Sequence, residues 1–352
     1  MAVGFESRSP KPDDIVTLGI IDTHNSDAWT DLGTTSAWCW QQGCMLQWIP
    51  GRKGSVIWNE RNGDRFLSRI YDTHAGTSHV LPDAIYTVAP NGRTAIGTDF
   101  RRINDMRPGY GYVGIADPNQ QLLAPEDSGI YTIDLDTGTS HQIISIAEVA
   151  NLPYRHGDLS QAKHYFNHLL FNTDGSRFIF LHRWRFENSG FQTRMLTAAA
   201  DGRDLHVVDD YGHMSHFIWR DTETILAWSW QPSQGYAFYL YKDLSPQVEI
   251  VGESDMTANG HCTYLANSNW ILNDSYPQSE KRTQELYVYH VPTERRIELG
   301  NFHSPEEYTG EWRCDLHPRS NTNGYQLTID SAHAGDGRQI YLIDIENLVS
   351  AT

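Results

Sequence analysis

Residues 168–184, HLLFNTDGSRFIFLHRW, carry the pattern on which the fold turns. A short apolar run leads into Thr-Asp-Gly, a turn sequence, and a second run rich in Phe and Ile follows at once. That is the pattern of two antiparallel strands joined tightly. Residues 193–208, TRMLTAAADGRDLHVV, add a third run, a second Asp-Gly turn and a fourth run. Four short strands with turn residues between them form one antiparallel meander.

The same unit recurs in both directions along the chain. Towards the N-terminus it reads QWIPGRKGSVIWNE (47–60) with LSRIYDTHAGTSHVL (67–81), then IYTVAPNGRTAIGTD (85–99) with GIYTIDLDTGTSHQII (129–144). Towards the C-terminus it reads HFIWRDTETILAWSW (216–230) with YAFYLYKDLSPQVEIV (236–251), then HCTYLANSNWILNDS (261–275) with ELYVYHVPTERRIEL (285–299). A last copy, LHPRSNTNGYQLTIDS (316–331) with QIYLIDIENL (339–348), ends before a fourth strand. Six copies of a four-stranded unit predict an all-β β-propeller, one domain over residues 1–352. The unpartnered DDIVTLGII near the N-terminus is expected to pair with the last blade and close the ring, which removes two sheet edges. The irregular stretch 22–44 has room for a degenerate seventh blade. An insert, Arg101–Ser128, interrupts the second copy, and long loops of this kind often serve function.

Composition narrows the function. The formal charge of −17 argues against nucleic acid or an anionic membrane as partner. The polar N-terminus has no apolar signal core, and the four cysteines, Cys39, Cys44, Cys262 and Cys314, form no CxxC pair. These features predict a cytoplasmic protein with reduced thiols.

Sixteen histidines are many for this length. His168, His216, His261 and His317 stand at or near the first run of successive copies three to six. Innermost strands line a propeller's channel, so these imidazoles are expected to converge. Cys314 and Asp315 beside His317, with His261 from the preceding copy, make a candidate set of metal ligands. His333 is a further candidate. Arg183, Arg185 and Arg194, close to His182, suit carboxylate recognition. For a rival glycoside hydrolase, Asp99, Asp221, Asp274 and Asp330 lie near strand ends, but no pair stands out. A non-catalytic propeller that binds glycan or protein is the other alternative.

From about Phe166 to Asp344 the chain resembles the oligogalacturonate lyase family, and more loosely the propeller-type ulvan lyases. The pieces that carry the likeness are FNHLLFNTDGSRFIFLHRW, TRML, SHFIW, GHCTYLANSNWILND and DLHPRSNTNGYQLTIDS, in that order. The resemblance implies a seven-bladed propeller that cleaves an acidic, uronate-containing oligo- or polysaccharide by metal-assisted β-elimination. It implies a divalent metal on His261 and His317, with His216 as base and Arg194 on the substrate carboxylate. His168 and His182 would line the subsite. The family's last strand offers Gln and two His as ligands, whereas the matching stretch EWRCDLHP offers Trp312, Asp315 and His317, with Cys314 nearby. Manganese suits an oxygen and imidazole set, zinc a set that includes Cys. Tyr110 or Tyr112 on the insert, or a second His, would protonate the leaving oxygen.

Overall fold

The computed structural model describes residues 1–5 and 7–350. Its regular structure is almost entirely antiparallel strand, arranged as the blades of a β-propeller. Among the described residues six blades are present, not seven, in chain order. The first blade comprises Gln47–Trp48, Ser55–Asn62, Arg65–Asp72 and Thr77–Leu81; the second comprises Thr87–Val88, Thr94–Thr98, Gly129–Asp134 and Ser140–Ser145. The third holds Lys163–Phe171, Arg177–Arg185, Gln192–Ala199 and His206–Asp209, and the fourth Met214–Trp219, Thr224–Gln231, Gly235–Lys242 and Val248–Val251. The fifth holds Thr263–Tyr264, Trp270–Asp274, Thr283–His290 and Arg295–His303. The sixth has three strands, Arg319–Ser320, Gln326–Ser331 and Gln339–Asp344.

The N-terminal strand does not complete the last blade. Val16–Asp22 pairs with Ala28–Thr35 in a separate two-stranded sheet, bulged between Leu18 and Gly19. Its apolar face, Val16, Leu18 and Leu32, packs with Trp38, Trp40, Val56 and Trp58 against the first blade. The stretch expected to hold a seventh blade is thus partly the second arm of this hairpin.

The chain divides into two compact units, residues 1–207 with 310–312 and residues 208–309 with 313–352. In the first, a core of Ile57, Ile70, Ile96, Ile133, Phe166 and Phe180 runs through successive blades. In the second, Leu226, Phe238, Ile271 and Tyr287 form one cluster, and Leu272, Val288, Leu316 and Leu327 another. In blades one to five the second strands have successive buried residues, as Phe178–Trp184 shows, because blade packs on blade. This is why apolar residues stand at successive positions in them rather than at alternate ones. No described helix is long and apolar enough to cross a membrane.

The insert 101–128 is ordered around one buried guanidinium. Arg102, on the helix Phe100–Met106, donates to Asp117 Oδ2 at 3.1 Å and to the carbonyls of Asn119, Leu122, Leu123 and His164. Both partners of the Arg102–Asp117 pair are almost wholly buried.

A candidate metal centre in the second unit

Blades five and six bring His261, Asp315 and His317 together, with their ligand atoms within 4.8 Å of one another. Two imidazole nitrogens and a carboxylate oxygen are a donor set for a divalent transition metal. The surroundings fit that use. Asp274, fully buried at the end of Trp270–Asp274, accepts from His261 Nδ1 at 2.9 Å and from the His261 and His317 backbone N–H groups. A carboxylate on Nδ1 fixes the tautomer and leaves His261 Nε2 as the free lone pair, a common arrangement behind metal-bound histidine. Gly260 makes this possible, because a Cβ there would lie 1.8 Å from the Asp274 carbonyl oxygen. Asp315 is 2% exposed and is oriented by Arg313 Nε at 2.7 Å.

His317 has φ of 42°, in the left-handed region that ordinary residues seldom occupy. Such strain persists where the surroundings impose it, commonly at functional sites. Burial foremost, with Arg319 nearby, holds the His317 imidazole neutral, well below its ordinary pKa. Neutral imidazole is the form that binds metal.

His216 joins the same cluster from blade four. Its ring centroid is 4.2 Å from that of His261, which is 4.0 Å from that of His317. The inner strand Met214–Trp219 shifts register between Met214 and Phe217, and His216 lies within that bulge. Bulges re-aim a side chain beside active sites. His216 Nδ1 donates to Asn259 Oδ1 at 2.9 Å, so Nε2 is the basic nitrogen, and Tyr276 Oη donates to it at 3.2 Å.

Other residues singled out from the sequence lie elsewhere. Cys314 does not join the ligand set; it packs with Tyr308 and Ala332. His333 bonds Ser331 and sits against Phe302 and Tyr341. In the first unit, Arg194 and His182 are fully buried within blade three rather than lining a subsite. Arg194 Nε donates to His182 Nδ1 at 3.0 Å, and its other nitrogens bond the carbonyls of Pro153 and Val149. With Nδ1 accepting, His182 Nε2 donates to His164 Nδ1 at 2.8 Å, and His164 Nε2 to the Leu159 carbonyl at 3.2 Å. The expected carboxylate contact and subsite histidine are therefore members of an interior hydrogen-bond chain.

His168 lies in a bulge of Lys163–Phe171, with φ of 53°. Its backbone N–H donates to Tyr86 Oη at 2.8 Å, and Gln42 Nε2 approaches its Nδ1 at 3.4 Å. Tyr112 is fully buried, bonded by Asn59, and burial holds its hydroxyl well above the usual pKa; Tyr110 is bonded by Arg107. Tyr276, in the segment after Trp270–Asp274, is the hydroxyl that the structure places beside His216. It falls outside the repeat signature, so repetition gave no signal for it.

Three of the four carboxylates weighed for hydrolysis have other partners. Asp99 caps the helix Phe100–Met106 and binds Arg101, Asp221 holds a turn and Arg220, and Asp274 organises the histidines. Burial raises the pKa of Asp330.

No protein-family model matches the sequence, and no curated protein does. Solved structures do resemble it. An oligogalacturonate lyase in complex with manganese is 13% identical, covering 96% of this chain and 84% of its own, with a TM-score of 0.58. The β-propeller domain of the trilobed protease from Pyrococcus furiosus is 12% identical, covering 88% of this chain and 83% of its own, at 0.52. The acylaminoacyl peptidase of Pyrococcus horikoshii is 12% identical and covers 88% of this chain but 44% of its own, also at 0.52. A lyase and two peptidase-associated propellers agree on architecture and differ in chemistry, so the chain is similar to them in its β-propeller fold.

Proposed function

We propose that the protein is a glycan lyase that cleaves a uronate-containing oligo- or polysaccharide by β-elimination. One observation carries the reading: the basic Nε2 of His216 faces a tyrosine hydroxyl, beside two histidines and a carboxylate able to hold a metal. Elimination needs a base for the proton at C5, positive charge for the adjoining carboxylate, and an acid for the departing oxygen.

A divalent metal held by His261, Asp315 and His317 would supply the positive charge. His216 Nε2 takes the C5 proton, and Asn259, accepting from Nδ1, steadies the imidazolium that forms. The electrons of the C5–H bond become the C4=C5 double bond as the C4–O bond breaks, and Tyr276 gives its proton to the leaving oxygen. The His216–Tyr276 hydrogen bond then returns the proton from Nε2 to the phenolate, which restores both groups. Manganese is favoured over zinc, because Cys314 stands outside the donor set. The lyase of similar fold, a complex with manganese, supports that choice.

The test is a panel of uronate-containing glycans, followed by the ultraviolet absorbance of the unsaturated product. The expected result is product with at least one glycan, abolished in His216→Ala and reduced at least 100-fold in Tyr276→Phe, with substrate binding retained. Reducing ends without an unsaturated product would mean hydrolysis and defeat the reading.

A further inference from the structure

The arginines that follow His182 differ sharply in environment. Arg185 is exposed, whereas Arg183 is only 4% exposed. Arg183 stands opposite Tyr165 and Thr193 in the neighbouring strands. Its Nε and Nη1 are buried without hydrogen-bond partners, and no described carboxylate pairs with it. Arg107, just past the helix Phe100–Met106, places Nη2 3.2 Å from Tyr110 Oη and leaves Nη1 buried without a partner. The two guanidinium carbons lie over one ring, that of Phe191, at 4.6 and 4.9 Å. On the same face of blade three as Arg183, the Tyr165 hydroxyl and both amide atoms of Asn167 are also buried without partners.

Burying an unpaired guanidinium is costly, and donors left without acceptors add to the cost. Arg183 is such a group, and the half-buried Arg107, which bonds and stacks on Tyr110, adds a second guanidinium with one unsatisfied nitrogen over the same Phe191 ring. With the polar atoms of Tyr165 and Asn167 beside them, they are not explained by the fold's own needs. We propose that Arg107 and Arg183 form an anion subsite that takes the carboxylate of a sugar acid, with Tyr165 and Asn167 available to its hydroxyls. The positive site follows from the geometry alone; the choice of a sugar acid as ligand rests on the proposed lyase function. Planar carboxylate is a natural acceptor for guanidinium donors, and desolvated bonds of this kind are among the stronger ones.

The test is titration calorimetry with free galacturonate, with galactose and inorganic phosphate as comparison ligands. Galacturonate has no glycosidic bond to eliminate, so loss of lyase activity leaves the readout untouched. Galacturonate should bind and galactose should not. Its dissociation constant should rise at least 10-fold in Arg183→Lys and in the more exposed Arg107→Gln, with thermal midpoints showing that both variants fold. Absence of galacturonate binding, binding undiminished in both variants, or binding of phosphate in its place would overturn the assignment.

Discussion

Asp274 shows how one side chain sets the geometry of several others. It holds His261 through ring and backbone and reaches the His317 backbone, yet stands outside the ligand set. Replacing a carboxylate behind a metal-bound histidine typically lowers metal affinity 10- to 100-fold. Asp274→Asn should do so, measured as metal retained after dialysis, while the protein still folds. His261 and His317 were legible because the repeat placed them at equivalent points of adjacent blades, and Asp315 because it stands two residues before His317. Cys314 misled because spacing does not say which way successive residues face in a non-repetitive approach to a strand; it turns to Tyr308 while Asp315 turns to the histidines. The cysteines allow a second measurement. All four are buried, and burial pushes the Cys39 and Cys44 thiols up to about 12. Thiolate is the reactive form, so a thiol reagent at pH 8 should find almost none in the native protein and four after denaturation.

At the scale of the element, the repeat fixed the blades and left the irregular pieces unread. Arg102 is the example: nothing in its spacing announces that it gathers one carboxylate and four carbonyls of the insert and blade three. Arg102→Met should destabilise the protein by about 3–5 kcal/mol in denaturant titration, because Asp117 would remain buried without its partner. The interior chain from Arg194 through His182 to His164 gives blade three a pH dependence. Burial, together with nearby Arg194, lowers the pKa of both histidines, His164 to about 4. In the unfolded chain each takes up a proton near pH 6.5, while in the fold each stays neutral. Stability from this source is therefore fully present above about pH 6.5 and is lost as pH falls towards 4, by about 3 kcal/mol for His164 alone. The unfolding midpoint in urea should fall across that window, with net proton uptake on unfolding at pH 5.

For the molecule as a whole, composition and repetition sufficed for an all-β propeller, and the count of copies gave the number of blades. The expectations that failed were a seventh blade, which came from the irregular stretch 22–44 and from family likeness, and closure by the N-terminal strand, which came from a general argument about sheet edges. Neither weighs what Val16–Asp22 gains locally, where the next strand is available to pair and Trp38 and Trp58 to cover it. A resident metal would bind the folded state alone and raise its stability by mass action. Chelation should lower the thermal midpoint by several degrees and abolish activity together, and added manganese should restore both; a midpoint indifferent to chelation would remove the metal from the account.

The ligand set has a consequence for biosynthesis. Its members lie at positions 261, 315 and 317, on two successive blades, so a chain emerging from the ribosome has no complete set until residue 317 has been made. Ion capture would then coincide with the docking of the final blade. A product terminated before residue 315 would lack two of the three candidate ligands as well as the sixth blade, and metal content would report whether that blade is present.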